Sequence, residues 1–170
     1  MGSPKTRRLV LNGILGALAV ICLLLANILP TNRLSLYALS SFFISISIIE
    51  NGIKAGWIFY AATCLLSFII VPDKLSIVPY VLFFGLYGIA KFYIERLNRL
   101  VLEYILKLVY FNICAGIAIA SVSSIFGYSL TDALPIWLIA IAAEVVFLIY
   151  DFVYTLFINY YRNKLRTKLL

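Results

Sequence analysis

The sequence predicts an all-α integral membrane protein: six transmembrane helices in one bundle, with both termini on the cytoplasmic side. Three observations predict this. First, 64% of the 170 residues are apolar, mean hydropathy is +1.06, and only 12% are Asp, Glu, Lys or Arg. That charged share is about half the norm for a soluble domain, and a water-soluble fold of this length has too little interior for so much apolar surface. Second, apolar runs fall at about 9–29, 34–50, 55–71, 75–94, 100–126 and 133–160, each near the roughly 17–25 residues that cross hydrocarbon as a helix. Third, the 14 Lys and Arg residues divide unevenly. With six spans and cytoplasmic termini, only Arg33 and Lys74 face outward, so the split obeys the positive-inside bias. An odd number of spans would put the N-terminal and C-terminal basic clusters on opposite sides.

The first run is too long for a signal-peptide core and has no small-x-small site directly after it, so it is expected to be a true span. It ends at Leu29-Pro30-Thr31-Asn32, where proline and polar turn formers break the helix. The second run carries Ser40, Ser41, Ser45 and Ser47, small residues suited to close helix packing in lipid. Asn51-Gly52 separates it from the third run, which stops at Pro72-Asp73-Lys74. Both runs sit at the short end for a span. The fourth carries Tyr80, Gly85, Tyr87, Gly88 and Lys91, then breaks at Leu97-Asn98-Arg99. The fifth opens with Glu103 and Lys107, spaced i,i+4 as an expected same-helix ion pair, and carries Tyr110, Asn112 and Gly116. After Gly127-Tyr128-Ser129, the sixth run holds Glu144 and Asp151. One six-helix domain over 1–170 accounts for the whole sequence.

Several functions find little support. The +7 net charge belongs to basic residues that flank apolar runs, which marks a membrane rim rather than a nucleic-acid surface. Cys22, Cys64 and Cys114 are odd in number, widely spaced and inside apolar runs, and the chain has no histidine. No metal or cofactor is therefore expected. No nucleophile motif or nucleotide loop is present, so the expectation is a protein that is not an enzyme.

Glu144 is the most conspicuous single residue. It lies about 11 residues into the sixth run, roughly 16 Å deep. A carboxylate there costs several kcal/mol unless it is paired, protonated or facing a polar cavity. A ligand or proton site and a structural hydrogen bond both fit. Asp151, seven residues on, shares nearly the same helical face and is expected to pair with Lys91 or Lys107.

Three stretches carry a family resemblance: "LNGILGALAVICLLLANILP" (11–30), "TNRLSLYALSSFF" (31–43) and "ENGIKAGWIFYAA" (50–62). With its size and six spans, the chain resembles the substrate-binding S components of energy-coupling factor transporters. The resemblance implies capture of a small vitamin-like molecule near the outer face, energised by separate chains: a transmembrane coupling subunit and ATPases. It places Gly13, Gly16 and Ala17 where that family docks onto its membrane partner. It casts Arg33 and Lys74 as donors to the ligand, Tyr37, Tyr80 and Tyr128 as stacking surfaces, and Asn27 and Glu144 as the cavity floor. The architecture is also similar to that of the MreD family of rod-shape scaffolds, which implies a non-enzymatic assembly protein. A small membrane enzyme or lipid-handling protein using Glu144 is the third alternative.

Overall fold

In the computed structural model, residues 4–126 and 136–165 are described. They form α1 (Pro4–Ile28), α2 (Arg33–Asn51), α3 (Ile53–Ile70), α4 (Gly85–Glu95), α5 (Leu100–Phe126) and α6 (Ile136–Tyr160). Short 3₁₀ turns lie at Pro30–Asn32 and Leu75–Ile77, and π-helical turns at Tyr80–Phe84 and Tyr161–Leu165. No strand occurs among the described residues. Among the described residues, six segments are long and apolar enough to cross a membrane: Arg8–Ile28, Pro30–Asn51, Ile53–Ile70, Leu75–Glu95, Leu100–Ala120 and Trp137–Lys164. Every expected run thus finds its helix.

Helices α1, α2 and α3 pack on one another, α4 lies against α2 and α3, α6 against α2, and α5 against α4. Helix α1 buries Leu15, Ala19, Leu23 and Ala26, a stripe at helical spacing. That stripe belongs to one core with Ile44 and Ile48 of α2, Phe59 of α3 and Tyr80. A second, aromatic cluster joins Tyr87 to Phe147 and Tyr154 of α6, with Phe83 and Tyr110 packed against it. Two of the serines of α2, Ser41 and Ser45, contact this cluster. Ser41 and Ser45 Oγ lie 2.8 and 2.7 Å from the hydroxyls of Tyr150 and Tyr154. Gly88 makes room for this, because a Cβ there would stand 2.6 Å from the Tyr154 hydroxyl.

The two ends of the bundle differ. At the basic end, Asn51 Nδ2 donates to Asn12 Oδ1 at 3.0 Å and the Tyr161 hydroxyl donates to Glu50 at 3.3 Å, tying α1, α2 and the end of α6 together. There α2 and α3 are joined by Gly52 alone, at φ +84°, with its N–H on Ile48 O. Only glycine takes that conformation without strain. At the opposite end the chain closes through the 71–77 segment.

The π turn at Tyr80–Phe84 widens the helix and misaligns its carbonyls, which in apolar surroundings must find other donors. They do. The Tyr60 hydroxyl donates to Val81 O at 2.9 Å, and the Tyr110 hydroxyl reaches Phe83 O at 3.2 Å and Leu82 O at 3.4 Å. Cys114 Sγ is 3.3 Å from Leu82 O. Cys22 and Cys114 are buried, Cys64 is half-buried, and all three are free thiols.

Candidate functional site

Three places in the molecule gather chemistry. The first is the end opposite the basic rim. Ser76 is its centre: its hydroxyl accepts from Asn27 Nδ2 at 3.1 Å and donates to Asp73 O at 2.7 Å, while its carbonyl accepts from the Tyr37 hydroxyl at 2.5 Å. Asp73 Oδ1 takes the Leu75 N–H at 3.0 Å, an Asx turn that shapes the loop. Lys74 folds back, with Nζ donating to Phe68 O and to Val71 O (2.8 Å) and lying 5.0 Å over the Phe68 ring. It therefore serves as the C-cap of α3, placing its charge at the negative end of the helix dipole. Arg33 opens α2, exposed, one turn before the buried Tyr37 and on the same helical face.

Of the ligand contacts that the resemblance implies, the structure thus brings Asn27, Tyr37 and the loop carrying Lys74 together, with Arg33 above them. Tyr80, the first residue of the π turn, is fully buried, its hydroxyl 2.9 Å from Thr63 Oγ1 of α3. Glu144 makes its contact elsewhere: it is half-buried on α6 and accepts from Asn112 Nδ2 of α5 at 3.4 Å. Tyr128 and the loop around it lie outside the described residues. Ser76 was missed in the sequence; a serine in a loop gives no signal until its partners are known.

The second place is a groove of about 510 Å³ between α1 and α3. Asn12, Gly13, Gly16 and Ala17 line one wall; Ala55, Phe59, Ala62 and Thr63 line the other. All three expected docking residues thus share one surface. Gly16 is its floor: a Cβ there would touch Phe59 at 3.7 Å. At Gly13 a Cβ would meet nothing within 4 Å, so the groove is open at that point. Small residues on two neighbouring helices make a slot that admits a third helix to close backbone distance.

The third place is a buried ionic cluster toward the basic end. Lys91, 1% exposed, directs its ammonium to Asp151 Oδ1, to Glu95 Oε1 at 2.7 Å and to Thr155 Oγ1 at 2.8 Å. Lys107 bonds Asp151 Oδ2 at 3.0 Å and Glu95 Oε1 at 3.1 Å. The Tyr87 hydroxyl adds a 2.5 Å bond to Asp151 Oδ1. Two cations face two anions, and every N–H of Lys91 is used, so the cluster has the chemistry of a clamp holding α4, α5 and α6 together. Asp151 pairs with both expected lysines. The expected Glu103–Lys107 pair does not form: Lys107 turns inward to Asp151 and Glu95 instead. An exposed i,i+4 pair contributes only a few tenths of a kcal/mol, less than two buried charge-assisted bonds. Glu95 was overlooked, although it stands four residues after Lys91 and the same spacing rule finds it.

Comparison with protein families, curated proteins and solved structures finds no match to this chain.

Proposed function

We propose that the chain is a non-catalytic, multi-pass subunit of a cell-membrane assembly, with both termini in the cytoplasm. It seats a partner's transmembrane helix in the α1–α3 groove and captures a small vitamin-like molecule at the outer end for uptake. One observation carries this reading: Gly13, Gly16 and Ala17 lie together on an open, mostly apolar groove between α1 and α3. A helix in lipid gains little from apolar contact as such, so a slot of small residues is of use chiefly where another backbone comes close. The partner is a membrane coupling subunit, with ATPases supplying the energy, as in the transporters that the sequence resembles.

Capture at the outer end rests on Arg33, the one outward cation not tied into a helix cap, above Tyr37 and Asn27. A guanidinium beside a phenol and a carboxamide suits a ligand bearing a carboxylate or carbonyl. Opening the site requires the Ser76 latch to release.

The test places a photo-crosslinking residue at Gly13, or at Phe68 as a control, in cells. The expected result is one discrete protein adduct from position 13 and none from 68. Lipid adducts alone, or the same adducts from both, would overturn the docking reading. A second reading, a scaffold of the rod-shape kind without a ligand, draws on the full engagement of Ser76 by its own chain. Native mass spectrometry of the purified protein separates the two. Capture predicts a small bound mass that Arg33→Ala lowers in occupancy by about tenfold, the loss of one charge-assisted pair; a ligand-free spectrum favours the scaffold.

A further inference from the structure

The α1–α3 groove is polar at one end only. Along most of its length Gly13, Gly16, Ala17, Ile58, Ala62 and Leu66 line it, and no acid does. Thr63 alone brings a hydroxyl to the lining, and that hydroxyl is engaged by Phe59 O, Tyr60 O and the Tyr80 hydroxyl.

At the basic end the chemistry changes. Asn12 lines the groove there. Its Oδ1 accepts from Asn51, while its Nδ2 donates to nothing among the described residues. Arg8 precedes Asn12 by four residues on α1, and Lys54 precedes Ile58 by four on α3. Each cation therefore stands one turn before a lining residue, on the same helical face. Both are exposed, and neither side chain has a hydrogen bond or ion pair among the described residues. Helix α3 also begins here, and its N-cap Gly52 offers no side-chain acceptor, so the helix dipole adds partial positive charge.

We infer that the groove, while no partner helix fills it, holds one anionic phospholipid. An acyl chain lies along Gly13, Gly16 and Ala17, the headgroup phosphate sits between Arg8 and Lys54, and Asn12 Nδ2 donates to an ester carbonyl beneath it. Charge complementarity selects this occupant. An apolar helix satisfies the slot but leaves both cations unanswered, and a zwitterionic lipid brings a cation of its own; a basic pocket between membrane helices suits an anionic headgroup. The other cations of this end are placed differently. Lys91 and Lys107 are held in the ionic cluster, and Arg96 and Arg99, exposed between α4 and α5, line none of this groove. The inference does not rest on the docking reading: it concerns the isolated chain, and the lipid leaves when a partner's helix enters.

The test is native mass spectrometry of the purified chain from detergent micelles containing dioleoyl phosphatidylglycerol and dioleoyl phosphatidylcholine, which share acyl chains and differ in net charge. The wild type is expected to retain one phosphatidylglycerol in preference to phosphatidylcholine by on the order of tenfold. Arg8→Gln with Lys54→Gln should abolish the preference, and Arg8→Lys with Lys54→Arg should keep it. Gly13→Leu, whose side chain enters open space, should lower retention of both lipids alike at an unchanged melting temperature. Arg96→Gln with Arg99→Gln removes as much charge from the same end and should change nothing. Equal retention of the two lipids by the wild type would overturn the inference. So would equal loss in both glutamine pairs, the mark of a basic rim that gathers anionic lipid anywhere, or a Gly13→Leu chain that binds as the wild type does. Any of these leaves a protein crosslink from position 13 standing, and a lipid-only crosslink there leaves the lipid site standing.

Discussion

Asp151 shows how one side chain orders its surroundings. Both of its oxygens are engaged, by Lys91 and Tyr87 on one side and Lys107 on the other, and it is 5% exposed. Its removal leaves two buried ammonium groups sharing Glu95 alone. Asp151→Leu should therefore destabilise the fold by about 3–5 kcal/mol, the usual range for breaking a buried ion pair. The loss is read as a lower melting temperature in detergent. A wild-type melt from Asp151→Leu would mean that the cluster contributes nothing. At this scale the sequence was partly legible. Asp151 with its two lysines followed from opposite charges at similar depth. Glu144 with Asn112 did not, because neither residue reveals which way its helix is rotated. The cap role of Lys74 was not legible: a lysine four residues past Ile70 is well placed to cap α3, and charge alone does not separate a cap from a ligand donor.

At the scale of elements, breaks were easier to find than helical type. Proline, glycine and asparagine marked each turn, and Gly52 ends α2 where expected. The π turn at Tyr80–Phe84 left no pattern in hydropathy, since five apolar or aromatic residues read the same in either helix. Its consequence is measurable. The Tyr60 and Tyr110 hydroxyls serve its carbonyls, and Tyr60→Phe or Tyr110→Phe should each destabilise by about 0.5–1.5 kcal/mol. The effect should be concentrated in faster amide exchange across α4 (Gly85–Glu95), with exchange in α1 unchanged. Uniform acceleration along the chain would count against a local role for these hydroxyls.

Across the whole molecule, the number of helices was plain because length and apolarity decide it, whereas their neighbours were not. Hydropathy ranks α5 and α6 with the rest, yet only 11% and 17% of their apolar windows are buried, against 44% for the spans containing α2 and α4. Lipid and protein look alike to an apolar side chain, so the pattern cannot tell a central helix from a peripheral one. The expected outcome is graded stability. In hydrogen exchange at low protein density, α5 and α6 should open before α1 to α3, since local stability follows buried contacts. Simultaneous opening of all six would refute this.

The single-residue link at Gly52 also bears on the geometry of the α1–α3 groove. Beside that link, Asn51 grips Asn12, so the walls made by α1 and α3 are pinned together at the basic end, where Ala55 lines the slot. Among the described residues no hydrogen bond joins Thr63 or Leu66 to α1 at the far end. If a helix docks in this slot as proposed, the pinned end at Asn51–Asn12 is the one expected to hold its width, and any spreading to admit the guest is expected from the opposite rim.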